Sequence, residues 1–345
     1  MAFTNICQYF CLVSLLVMYF WAIHALCRPI GEKLIMLKMH EQWMAQHGLV
    51  YADEAEKAET AYDFRRQYRG YKLAVNKFAD LTNDEFRSMY AGYDWQNQNS
   101  PVISTSDPDA SSPMDANSTV TDVPSSMDSR ENGAVTPVKD QGDCNCCWAF
   151  SSVAAVEGIT KIETGKLMSL SEQELVDCDT GSFDRGCTVG RMDTAFEFIK
   201  NNNGLTTEAD YPFVGNDYGA CKTTKDENDA AAATISGFKF VPANNEQALM
   251  QVVADQPVSV SIDSSGYMFQ FYSSGIIKSE ECGTDIDHGV TAIGYGASSD
   301  GTKYWLVKNS WGTGWGEGGY VRIQREVGAQ EGACGIAMMA SYPTV

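Results

Sequence analysis

The sequence predicts an α+β protein whose main domain, residues 123–345, is built as two lobes. Two observations predict it. Helical periodicity and helix caps crowd the first half of that domain, whereas β-branched and aromatic segments cut by glycines fill the second. A third observation places chemistry between the lobes. A cysteine at the start of a helix lies in the first half, and the domain's one histidine lies in the second.

In chain order, residues 6–26 (ICQYFCLVSLLVMYFWAIHAL) form a long apolar run, read as a secretory signal cleaved near Ala25 to Cys27. An uncleaved anchor is the alternative, since the flank before the run has no Lys or Arg; the polar Gln8 and His24 favour cleavage. The domain boundaries are therefore 1–25 for the signal and 26–95 for a charged, helix-rich pro-region. Within it EKLIMLKMHEQWMAQHG (32–48) is amphipathic, with Leu34, Leu37, Trp43 and Met44 on its apolar side. Residues 96–122, rich in Ser, Asp, Asn and Pro, are a linker, and the sequon at Asn117 makes that residue a candidate for glycosylation.

Past the linker, WAFSSVAAVEGITKI (148–162) reads as a helix with Phe150, Val153, Ala154 and Ile159 on one side. Ser171 to Glu174 is a capping-box pattern, and DTAFEFIKNNNG (193–204) is a helix closing at Gly204. Strands are predicted over 257–262, 289–295, 303–309 and 319–323.

A formal charge of −20 excludes nucleic acid as a partner, because phosphate binding needs clustered Lys and Arg. Cys147 begins the first helix, where unpaired N–H groups and the helix dipole favour a thiolate. Of the four histidines, His24, His40 and His47 precede the main domain, which leaves His288 as the base. A zinc site built from C-x-C-C and a histidine is disfavoured, since zinc ribbons repeat such short-spaced pairs and only one is present. No metal or organic cofactor is implied.

QGDCNCCWAF (141–150), DHGV (287–290) and KNSWG (308–312), in that order, resemble the papain-like cysteine proteases. With CGIAMMASYP (334–343), the likeness is to plant members of the senescence-associated kind, as full precursors. It implies a papain-like fold, a helical lobe against an antiparallel, barrel-like β lobe, preceded by an inhibitory propeptide. It also implies a Cys-His-Asn mechanism for peptide hydrolysis through a thioester, with protein and peptide substrates. Cys147 is then the nucleophile, His288 the proton shuttle and Asn309 the group that orients it. Gln141 and the Cys147 N–H would hold the oxyanion, and Trp311 would shield the His288–Asn309 bond. The disulfides implied are Cys144–Cys187, Cys178–Cys221 and Cys282–Cys334; spacing by itself leaves the connectivity open. Substrate would meet Gly190, Arg191, Met192, Ser261, Gly289 and Met339. The implied partners also include the chain's own propeptide as inhibitor and protein inhibitors such as cystatins. The protein would be a monomer of the secretory route, in a vacuole or outside the cell.

The chain departs from the family at several positions. Asn145 and Val189 replace glycines, Ser129 replaces a buried tryptophan, and Arg191 replaces an apolar wall residue, which predicts a shift toward polar or acidic P2 groups. The pro-region is also shortened around 55–70. These departures sustain an alternative, a degenerate homologue that binds peptides without cleaving them; the acidic charge and sequon leave a structural wall protein as a third class.

Overall fold

The computed structural model describes residues 71–92, 123–181, 183–217, 219–222 and 231–345, all within one compact unit, Gln67–Val345. The signal run, the 32–48 helix, the 55–70 stretch, the linker and Asn117 lie outside the described residues.

The described part of the pro-region contributes a strand, β1 (Tyr71–Leu73), and a helix, α1 (Asn83–Tyr90). Thr82 caps α1 reciprocally: its hydroxyl accepts from the Glu85 N–H while the Glu85 carboxylate accepts from the Thr82 N–H. The helical lobe holds α2 (Cys147–Thr164), α3 (Glu172–Cys178) and α4 (Met192–Asn201) around Trp148, Leu175 and Phe196.

The predicted apolar stripe of α2 is too narrow. Phe150, Val153 and Ile159 are buried as expected, but so are the polar Ser151, Ser152 and Glu157. The reason is location: α2 runs between the lobes, where Glu157 accepts from Thr136 and Lys139 and Ser151 is matched to the sheet. The Ser151 hydroxyl donates to the Val290 carbonyl at 2.7 Å, and the Ser259 hydroxyl donates to the Ser151 carbonyl at 3.0 Å. The capping box of α3 is half formed. Ser171 accepts from the Glu174 N–H, while the Glu174 carboxylate accepts from the Thr206 N–H at 2.7 Å and the Asn202 amide at 2.8 Å.

β2 (Met127–Asp128) opens the domain, and its second half holds β3 (Gly237–Phe240), α5 (Glu246–Asp255), β4 (Val258–Ile262), α6 (Tyr267–Gln270) and β5 (Tyr272–Ile277). Then follow β6 (His288–Ala297), β7 (Lys303–Lys308), β8 (Tyr320–Gln324) and β9 (Ala340–Thr344). The sheet runs β1-β5-β8-β7-β6-β4-β9-β3, with β2 added on β6. All pairings are antiparallel except β5 with β8. The four predicted strands correspond to β4, β6, β7 and β8. A second core of Val258, Val260, Trp305, Val307 and Val321 fills this lobe. Cys144–Cys187, Cys178–Cys221 and Cys282–Cys334 are bonded, and Cys146 and Cys147 are free thiols.

Candidate active site

Folding places the first residue of α2 against the first residues of β6. The Gly289 N–H donates to the Cys147 Sγ at 3.3 Å, which brings the start of β6, with His288 one residue before Gly289, to the start of α2. His288 Nε2 pairs with Asn309 Oδ1 at 2.8 Å. Asn309 follows the end of β7 and also accepts the Ser310 N–H at 2.8 Å, so its amide oxygen is held toward the ring. That pairing leaves Nδ1 as the imidazole nitrogen without a hydrogen bond. Trp311 stacks on the imidazole at 4.6 Å between ring centroids and is fully buried. Gln141 is anchored by the Ser310 hydroxyl, which donates to its Oε1 at 2.6 Å, and by its own N–H to the Ser310 carbonyl at 2.8 Å. One of its amide protons goes to the Cys144 carbonyl at 2.9 Å, and the second remains for another acceptor.

The electrostatics run opposite to the thiolate expected from the helix start. Burial pushes the Cys147 thiol up to about 11, outweighing the N–H groups of Gly289, Gly92 and Trp148. Burial also takes His288 down to about 4, against the favourable Asn309 bond. The Tyr90 carbonyl favours the charged ring without reaching hydrogen-bonding geometry. Asp287 beside it is raised to about 6, chiefly by burial. In this state the thiol and imidazole are both neutral.

The cause is a cover supplied by the pro-region. Phe78, Phe86 and Tyr90 pack edge-on against Trp311, with centroids at 5.5, 5.2 and 6.2 Å. β1 pairs with β5, Tyr71 opposite Gly275. Gln270 donates to the carbonyls of Phe78 and Leu81, the Tyr90 hydroxyl donates to Asp143 at 2.7 Å, and Lys77 bridges to Asp140 at 2.7 Å. Past α1 the chain crosses Cys147, and the Gly92 carbonyl accepts the Gly190 N–H at 3.1 Å.

Comparison with known proteins agrees with this arrangement. The model of the papain family of cysteine proteases matches residues 123–344. The chain belongs to that family. It is 52% identical to the senescence-specific cysteine protease SAG12 of Arabidopsis thaliana over 333 residues, 93% of each chain. It is 49% identical to the senescence-specific protease SAG39 of Oryza sativa subsp. japonica, over 92% of this chain and 93% of that one. Among solved structures, the proform of Amb a 11, a ragweed pollen cysteine protease, superposes with a TM-score of 0.78 at 39% identity, covering 90% of this chain and 85% of the other. The recombinant stem bromelain precursor gives 0.74 at 41% identity, covering 90% and 99%.

Around this papain-family centre the structure gathers most of the predicted substrate wall. Gly190 lies flat on the Trp148 indole, where a Cβ would come within 2.4 Å of the ring, so only glycine leaves the N–H presented. Met192 is buried with its sulfur against Gly289; Ser261 pairs in register with Gly289, and its N–H donates to the Met339 carbonyl at 3.0 Å. Arg191 does not join them. Its guanidinium is buried on Asp193, with contacts of 3.0 and 2.7 Å, and faces the Phe183 ring. Its charge is committed there, which removes the basis for a shifted P2 preference. Arg191 is the extended residue just before α4 and Asp193 lies in that helix's first turn, so the pair spans the helix start. Val189, half-buried, sits in a turn where its carbonyl accepts the Arg185 N–H at 2.8 Å. Ser129 is buried, with its N–H on the Ile293 carbonyl. The covering role of Phe78, Phe86, Tyr90 and Gly92 does not follow from the sequence reading above; the AVNKFAD segment (74–80), which contains Phe78, is the nearest signal.

Proposed function

We propose that the protein is the zymogen of a cysteine endopeptidase that cleaves peptide bonds with Cys147, His288 and Asn309. The observation that carries this reading is the meeting, in one cleft, of the Cys147 sulfur with the Gly289 N–H and of His288 with Asn309 at 2.8 Å. Removing the cover readmits water, which relieves the burial holding both groups neutral and allows the thiolate–imidazolium pair. The thiolate adds to the scissile carbonyl carbon, and the oxygen's charge is met by the second Gln141 proton and the Cys147 N–H. His288 gives its proton to the leaving amine as the C–N bond breaks, leaving a thioester on Cys147. Water, losing a proton to His288, then opens the thioester and restores the thiol. Met192 and Met339 favour an apolar, adaptable P2 side chain.

The secretory destination rests on the apolar run at 6–26 and on three disulfides, which persist in oxidising compartments. Among the described residues no helix is long and apolar enough to cross a membrane. The test is hydrolysis of a fluorogenic peptide with an apolar P2 residue, after acid activation of the secreted chain with a reductant. The parent is expected to be active and Cys147→Ala silent. A parent that folds, sheds its pro-region and leaves the peptide intact would contradict the reading.

A further inference from the structure

Asn145 stands where the family has glycine, in the bend between the Cys144–Cys187 disulfide and Cys147. Its own N–H is tied to the Cys187 carbonyl at 3.1 Å, so its side chain leaves from a fixed point on the cleft floor. From there the amide Nδ2 donates to the Ser88 carbonyl of α1. That carbonyl belongs to the last turn of a helix, where carbonyls have no intrahelical donor. Neighbouring Arg87 is served by the Ala91 N–H; Ser88 is served by Asn145. Four residues on, Gly92 packs on the same residue: a Cβ there would lie 2.1 Å from the Asn145 carbonyl oxygen and 2.6 Å from its Cβ. Asn145 therefore touches both ends of the 88–92 stretch that crosses Cys147. Its Oδ1 is buried without a hydrogen-bond partner, so the side chain accepts a desolvated oxygen to make the Nδ2 contact.

We propose that Asn145 is a positioning residue that latches the pro-region over Cys147 by capping the C-terminus of α1 from the enzyme side. Glycine at this position has no side chain to do so. The inference rests on the zymogen reading above.

The test labels Cys147 with a thiol-directed peptide epoxide in the full-length secreted chain near neutral pH, followed by intact mass. Each zymogen rate is divided by that of the same variant after its pro-region is removed, so direct effects on thiol reactivity cancel. Asn145→Gly and the isosteric Asn145→Asp, which cannot donate when ionised, should both raise this ratio by about threefold to tenfold, the worth of one hydrogen bond. As pH falls through the ordinary carboxyl range near ~4, the protonated Asp regains a donor, and its ratio should return toward the parent's at the same pH. A role in shape alone would leave Asn145→Asp equal to the parent at every pH. Equal ratios for all three chains, with the parent labelled once mature, would overturn the latch. A mature parent that never labels at Cys147 would overturn the protease reading, and the latch with it.

Discussion

Phe78→Ala in the pro-region should expose Cys147 without altering the mature enzyme. The ring is fully buried and sits 4.6 Å from Tyr90, 5.1 Å from Phe86 and 5.5 Å from Trp311. Truncating a buried phenylalanine costs about 3–5 kcal/mol. Two of its three ring partners belong to the cover itself and travel with it, so roughly a third of that, about 1.3 kcal/mol, bears on opening. At 1.4 kcal/mol per decade, this is a rise of about tenfold in the fraction uncovered. The assay is the rate of epoxide labelling of the full chain near neutral pH, where labelling follows the uncovered fraction. Mature enzyme from either chain has the same sequence and must label alike. An unchanged zymogen rate in a folded Phe78→Ala chain would refute the claim that this aromatic cluster holds the cleft shut.

Acid should loosen the cover through His288. The covered ring titrates at about 4 against an ordinary 6.5, so the cover prefers the neutral ring: it is tight above the uncovered value and weakens as pH falls toward about 4. The full difference is ~3 kcal/mol, and a zymogen-to-mature labelling ratio that stays flat across that window would refute it. Gln141→Ala should lower kcat by ~100- to 1,000-fold with folding intact, measured on the fluorogenic peptide. Arg191→Met should strand the buried Asp193 and destabilise the enzyme by ~3–5 kcal/mol in denaturant unfolding. Substrate-library profiling of Arg191→Lys should show the parent's P2 preference, because the charge at this position faces Asp193 rather than the cleft.

The residues proposed to carry the chemistry were legible because each sits in a short motif with a distinct backbone context: Cys147 at a helix start, His288 at a strand start, Asn309 just past a strand end. Five of the described strands were not, and three of them show why. β5 reads YSSGII, with no alternation until its last residues, because it lies between the pro-region strand and β8. β9 holds Pro343, which argues against a strand; it is tolerated because β9 pairs with β4 only at Ala340 and Ser341. β3 is four residues long and gains its place only by pairing with β9. Arg191 misled because residue type says nothing of a partner two positions away, and Asn145 was visible only as an oddity until Ser88 lay above it. The neutral thiol and imidazole could not be read from the motifs, since their cause is burial by a segment more than fifty residues upstream.

The proposed function rests on Cys147, and not its free neighbour Cys146, acting as the nucleophile. Burial raises the Cys146 thiol well above its ordinary range, and its sulfur turns to the Cys144 carbonyl at 3.5 Å, away from the Gly289 N–H. The most direct measurement is peptide mapping of the epoxide adduct on acid-activated enzyme, alongside loss of hydrolysis. One adduct per chain is expected, on Cys147, in step with lost activity, together with unimpaired labelling of Cys146→Ser. An adduct on Cys146, or full hydrolysis after Cys147 is modified, would contradict it.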